Sequence, residues 1–129
     1  MSVVDNRALV LRYLDEAWNN GKVDILDELY DPGFSGGGYG GIPEFKAAIT
    51  AYRRSFPDLH FTIEDTVAED ERVAFRWIAR GTHQGDFAGI AATGKPITVT
   101  GITILRIVAG KIVDDRSETT NHTLATQLE

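Results

Sequence analysis

The sequence predicts an α+β domain, with helices followed by a meander of antiparallel strands and the helices packed on one face of the sheet. Three observations carry this. Apolar residues recur at helical spacing as far as Phe56, and from Leu59 onward the period switches to two. Turn-forming residues punctuate the chain where each pattern ends: Asn20-Gly21, Asp31-Pro32-Gly33, Pro57, Glu69-Asp70-Glu71 and Val108-Ala109-Gly110-Lys111. No repeat, low-complexity tract or interdomain linker interrupts residues 1–129, which read as one domain burying roughly two-thirds of its unfolded surface.

The first helix spans Asp5 to Asn20, with Val10, Tyr13/Leu14 and Ala17/Trp18 on one face and Asn20-Gly21 as a left-handed stop. A shorter one runs from Val23 to Tyr30 around Ile25, Leu26 and Leu29. The third begins at Ile42-Pro43, where proline suits the first helical turn, and carries Phe45, Ala48/Ile49, Tyr52 and Phe56. Between the last two lies Ser35-Gly36-Gly37-Gly38-Tyr39-Gly40-Gly41; five glycines in seven residues predict a lid or a plain connector rather than regular structure. No Gly-Lys-Ser/Thr follows, so it is not a phosphate loop.

Leu59, Phe61 and Ile63 then alternate with polar residues, as do Val73, Phe75, Trp77 and Ala79 with Ala74, Arg76, Ile78 and Arg80. A loop from Thr82 to Lys95 leads to a long strand, Ile97 to Val108, and to its partner, Lys111 to Thr119. A short helix near Asn121–Leu128 closes the chain.

The last hairpin suits a type I turn followed by a left-handed glycine, a three-residue loop with a bulge. That geometry pairs Ile107 with Lys111, Arg106 with Ile112, Ile104 with Asp114, Ile102 with Arg116 and Thr100 with Glu118. A two-residue turn at Ala109-Gly110 breaks this correspondence. One face then carries Thr100, Ile102, Ile104 and Arg106 beside Ile112, Asp114, Arg116 and Glu118. The other carries Val99, Gly101, Thr103 and Leu105 beside Val113, Asp115 and Ser117. Periodicity leaves open whether the charged face is a solvated ion-pair ladder or a polar cluster inside an apolar hollow, because Ile102 and Ile104 lie among the charges.

Composition narrows the function classes. With 43% hydrophobic and 25% charged residues the chain has the profile of a soluble globular protein. A net charge of −6 and the absence of a basic stripe argue against a nucleic-acid partner. No apolar run approaches the roughly 20 residues of a membrane span. The N-terminus shows no basic patch followed by an apolar core, which makes a cytoplasmic location the expectation. Zero cysteines exclude disulfides and thiolate chemistry, and His60, His83 and His122 lack ligand spacing, so neither a metal nor a cofactor is expected.

Several motifs occur together: Tyr13, Trp18-Asn19 and Leu29-Tyr30 before Phe34; Phe56-Pro57-Asp58-Leu59; Thr82-His83-x-Gly85; Phe87-x-Gly89-Ile90; Thr93-Gly94-Lys95; and Gly110-Lys111-Ile112. In order and spacing the chain resembles the SnoaL-like polyketide cyclases, over nearly its whole length. The resemblance implies the cone-shaped fold shared with nuclear transport factor 2: a curved antiparallel β-sheet with three N-terminal helices packed on its concave face. It implies an apolar pocket for a small carbonyl- or ring-bearing molecule, and a homodimer formed through the sheet. Because the family places an inward aromatic at the position of Arg116, it also implies that the charged face turns inward.

On that reading His83, Arg116 and Glu118 are the candidate catalytic residues. The pocket would be lined by Tyr13, Trp18, Phe34, Tyr52, Phe56, Trp77, Ile102, Ile104, Arg106, Asp114 and Thr120. Family cyclases close a ring by intramolecular aldol condensation, which needs a carboxylate base and donors for an enolate. The family's base and its neighbouring acid fall here on Thr120 and Asn121, and Gly36-Gly37-Gly38 stands where many relatives place a histidine. Three functions follow from these features: an acid/base cyclase or isomerase, an epoxide-opening enzyme using Arg116 and Glu118, and a non-catalytic binding or dimerisation module.

Overall fold

The computed structural model describes residues 2–129. Helix α1 (Val3–Tyr13) starts in a capping box: the Asp5 backbone N–H donates to Ser2 Oγ at 3.1 Å, and the Ser2 N–H returns to the Asp5 carboxylate. The helix does not end at Tyr13 but widens into a π-helical segment, Leu14–Asn19, before Gly21 (φ 72°) turns the chain. Helix α2 is shorter than its pattern predicts, Ile25–Leu29, and α3 covers Ile42–Ser55. The glycine-rich segment is not a free connector. Its ends pair as two short strands, β1 (Ser35–Gly36) and β2 (Gly40–Gly41), with Tyr39 at the turn.

Strands β3 (His60–Glu69), β4 (Arg72–Thr82), β5 (Pro96–Val108) and β6 (Lys111–Thr119) form one antiparallel sheet in sequence order. A turn of 3-10 helix, Asn121–Thr123, and helix α4 (Leu124–Gln127) follow. The inner face carries Val73, Phe75, Trp77 and Ala79 from β4 and Ile97, Val99, Thr103, Leu105 and Ile107 from β5, all buried. Leu9, Val10, Tyr13, Leu26, Phe45 and Ile49 of the helices close over it. The α+β plan thus holds, with a sheet bent by irregular pairing at Ile63/Asp65 and Arg106/Ile107.

The β5–β6 hairpin departs from the expected register, and the departure decides which side chains share the interior. Its turn has two residues, Ala109 (φ 49°) and Gly110 (φ 77°), so that Val108 pairs with Lys111 and Ile107 with Ile112. Both central residues are left-handed, the geometry whose twist matches the flanking strands. The next pair is Arg106 with Asp114, leaving Val113 as an extra residue on β6. Beyond this bulge Leu105 faces Asp115, Ile104 faces Arg116 and Ile102 faces Glu118. In an unbroken strand Ile112 and Asp115 point to opposite faces; the extra residue lets both point inward, and both are buried.

The charged face is therefore the outer one, contrary to the inward placement expected above. Ile102, Ile104, Arg106, Arg116 and Glu118 are exposed, and the Arg116 side chain keeps 82% of its surface in solvent. Arg116 reaches only Asp114, at 3.1 Å, and Arg106 pairs with Glu71 at 3.3 Å. Such exposed pairs contribute at most about 1 kcal/mol each.

Candidate active site

Between the helices and the inner sheet face lies a partly open cavity of about 350 Å³. Its walls are mostly aromatic. Trp18 and Trp77 both pack on Phe61 with ring centroids 4.9 Å apart, and Tyr13, Tyr52 and Phe56 complete the helical side. Trp77 lies flat over Gly101: a Cβ at residue 101 would sit 2.4 Å from its ring, so glycine is what permits this wall. Polar atoms in the wall are engaged with one another. Trp18 Nε1–H donates to the Tyr13 hydroxyl at 2.9 Å, Trp77 Nε1–H donates to Thr103 Oγ1 at 3.0 Å, and Thr103 shares a 2.7 Å hydrogen bond with Ser117.

One carboxylate is buried in the lining. Asp115 is 7% exposed, and Tyr30 donates its hydroxyl proton to Asp115 Oδ2 at 3.0 Å. Tyr30 reaches it because the chain after α2 docks on β6: Tyr30 bridges to Ile112, and the Asp31 N–H donates to the Ile112 carbonyl at 2.9 Å. Burial pushes the Asp115 carboxyl from 3.8 up to about 6; the Tyr30 hydrogen bond opposes this rise and neighbouring Asp114 adds to it. The Tyr13 and Tyr30 phenols, also buried, are held well above their ordinary range, chiefly by desolvation. A carboxylate with this acidity takes a proton from carbon more readily than a solvated aspartate and is still largely ionised near neutrality.

Of the residues that sequence reasoning placed in the pocket, Tyr13, Trp18, Tyr52, Phe56 and Trp77 line it together. Phe34 is buried behind the lining, its ring 4.8 Å from that of Tyr30. Ile102, Ile104, Arg106 and Asp114 belong to the outer-face rows, as does Arg116. Glu118 meets the rim through its backbone, its carbonyl backing Gly101, while its side chain shares the outer face with Ile102. Thr120 is tied to β5, its Oγ1 accepting the Thr100 N–H at 2.9 Å, and its neighbours Thr119 and Asn121 line the cavity instead.

His83 is fully buried at the end of the inner β4 row, against Phe56, and is not part of the lining. Its Nδ1 accepts the Thr93 N–H at 3.1 Å, which places the ring proton on Nε2. That imidazole clamps the loop between β4 and β5, together with bonds from the His83 N–H to the Lys95 carbonyl and from the Gly94 N–H to the His83 carbonyl. Among the described residues no group of three or more His, Asp or Glu side chains is arranged to hold a metal ion.

Sequence reasoning missed Asp115 because it assigned the wrong face of the hairpin to the helices. The available signal was Leu105, Thr103 and Val99, a more uniformly uncharged row than the one carrying Arg106.

Four antiparallel strands roofed by helices form the α+β cone of a small-molecule-binding cyclase fold. The chain belongs to the SnoaL-like polyketide cyclase family, whose model matches residues 8–128. It is 32% identical over 116 residues to aklanonic acid methyl ester cyclase DauD of Streptomyces sp. (strain C5), covering 83% of this chain and 71% of that one. Among solved structures it is similar to TsrD from Streptomyces laurentii, with a TM-score of 0.86 and 27% identity over 99% of this chain and 97% of that one. A SnoaL-like protein from Jannaschia sp. CCS1 superposes with a TM-score of 0.85 at 26% identity, over 97% and 92% of the two chains.

Proposed function

We propose that this protein is an acid/base cyclase in which Asp115 is the general base. The substrate is a flat, enolisable carbonyl compound held between Trp18, Phe61 and Trp77. The observation that carries the reading is the burial of a single carboxylate, raised to about 6, in an aromatic cavity. The Asp115 carboxylate removes a proton next to the carbonyl, and the C–H electron pair forms the enolate. The enolate carbon then attacks a second carbonyl of the same molecule, forming the ring bond. The proton on Asp115 is returned to the new alkoxide, which leaves the base ready for another turnover. Asp115 replaces, from a different strand position, the acid that the family would place at Thr120 or Asn121.

Aklanonic acid methyl ester, the compound named for the curated relative, is the first substrate to try. Asp115→Asn should lower ring closure, or α-proton exchange of 2-tetralone in D2O followed by NMR, by on the order of 100-fold or more. Wild-type rates in that variant would remove Asp115 as the base. A competing reading, a non-catalytic binder, is favoured by Thr120, whose side chain is spent on Thr100 instead of facing the cavity. It predicts ligand binding with no exchange in either protein.

The proposal extends to assembly and location. On the outer face Val67, Ala74 and Ile104 form one cross-strand row beside Ile102, and three of these four are exposed large apolar residues. That stripe supports a homodimer through the sheet. No helix among the described residues is long and apolar enough to cross a membrane, and a cytoplasmic site of action fits a chain with no cysteine to oxidise.

A further inference from the structure

Proton removal next to a carbonyl leaves a negative oxygen that needs donors, and the cavity has few to spare. The Trp18 and Trp77 indoles are committed to Tyr13 and Thr103, the Tyr30 hydroxyl to Asp115, and Thr103 and Ser117 to each other, while the buried Tyr13 hydroxyl accepts from Trp18 and retains only its own proton. Asn121 is exposed at the rim. Two phenols are different. Tyr39 and Tyr52 both line the cavity, both are half-buried, and both hydroxyls reach solvent-accessible space without a hydrogen-bond partner among the described residues.

We infer that Tyr39 and Tyr52 form the donor pair that receives the carbonyl oxygen of the ligand and stabilises its enolate, opposite Asp115. The assignment rests on the acid/base reading above and adds to it the residues that hold the developing charge.

Three observations support the pairing. The Tyr39 ring stacks on Phe45 with centroids 4.6 Å apart and an interplanar angle of 5°, which fixes the direction of its phenol. Tyr39, Tyr52 and Asp115 line the same cavity, and burial, followed by the charges of Tyr52 and Asp115, raises the Tyr39 phenol. Finally, the glycines beside Tyr39 keep that volume clear. Gly37 (φ 64°) and Gly38 (φ 80°) adopt the left-handed turn that presents the ring, and a Cβ on Gly37 would lie 3.6 Å from Asp115 Cγ and 3.3 Å from Tyr39 Cδ2. A side chain there would wedge between the acid and the phenol.

The chemistry balances with these groups alone. As Asp115 takes the proton, the C–H pair becomes the new C=C bond and the carbonyl π pair moves onto oxygen. The phenols donate hydrogen bonds to that oxygen, and Tyr39, pushed up to about 12, keeps its proton. Aligned donors in a water-poor site strengthen as charge develops, so their effect falls on turnover more than on ground-state binding.

The test uses 2-naphthol, whose oxygen mimics an enolate and whose bound naphtholate is visible by fluorescence, against 2-methoxynaphthalene, which cannot ionise. Wild-type protein should prefer 2-naphthol by roughly tenfold or more, the range expected of hydrogen bonds to a charged oxygen. Tyr39→Phe and Tyr52→Phe should each narrow that preference, and the double variant should abolish it together with the naphtholate emission. Binding of 2-methoxynaphthalene should be unchanged throughout. Equal affinity of the wild type for the two probes, absence of affinity included, or an unaltered preference in the double variant, overturns the assignment. Asp115→Asn separates the two readings. If it retains α-proton exchange the base is wrong, whereas a naphthol preference that persists in Asp115→Asn and falls with the phenols reports on the phenols; a preference lost in Asp115→Asn overturns the donor pair.

Discussion

Asp115 ties acidity to stability in a way that can be measured. Its carboxyl rises from 3.8 to about 6 on folding, so the native protein holds this proton more tightly than the unfolded chain. The associated stability is complete below the unfolded value and is lost as pH climbs through about 6. Replacing the acid by Asn removes the cost of burying its charge. Asp115→Asn should therefore melt higher than wild type at about pH 8, by up to about 2 kcal/mol, and no higher at about pH 4. Activity should fall about tenfold per pH unit below about pH 6 as the base becomes protonated, and a pH–rate profile reads this directly. Glu118→Gln, by contrast, alters a side chain on the outer face and should leave turnover unchanged and stability within about 0.5 kcal/mol, checked by kinetics and a thermal melt. The aromatic residues of the cavity were legible in the sequence, since helical and two-residue periods place Tyr13, Trp18, Tyr52, Phe56 and Trp77 on buried faces. The acid was not, because its orientation depends on pairing across two strands and periodicity within one strand cannot supply that.

At the scale of elements, the order of helices and strands followed from apolar spacing and turn residues, and the sheet is the expected meander. Besides the short β1–β2 pair in the glycine-rich segment, two features escaped. The π-helical end of α1 has no local signature, since it arises where Tyr13 and Trp18 both turn toward the aromatic cavity. The β5–β6 turn was ambiguous because alanine is a poor left-handed residue, yet the structure places it there at φ 49°. Relieving this strain should stabilise the hairpin. Ala109→Asn, which creates the favoured Asn-Gly pair, should raise stability by about 1 kcal/mol in a denaturant titration. A loss of stability would mean that the two-residue turn is not the one formed in solution. Gly101 is the opposite case: its lack of a side chain is demanded by Trp77 above it, a contact between strands that no reading of β5 alone reveals.

For the molecule as a whole, the sheet separates two surfaces of different composition. The inner one carries the cavity and its acid, and the outer one carries an apolar stripe flanked by pairs such as Arg76 with Asp65 at 2.5 Å. A carboxylate placed in that stripe faces either water or a second copy of the chain. Ile104→Asp should therefore leave the thermal melt of the monomer nearly unchanged while halving the mass found by light scattering, if the proposed dimer forms. A wild-type protein that already scatters as a monomer would dismiss it. The fold class followed from patterning within each segment, whereas the division of labour between the two surfaces needed the register that joins them. One supernumerary residue, Val113, interrupts that register. Removing this single position would set Ile112 and Asp115 two residues apart in an ordinary ladder, so the ribbon would straighten while Asp115 stays within and Asp114 and Arg116 stay without. A Val113 deletion is thus the one contraction of the final strand that should leave its acid indoors, whereas the loss of any regularly paired neighbour puts the ladder out of step.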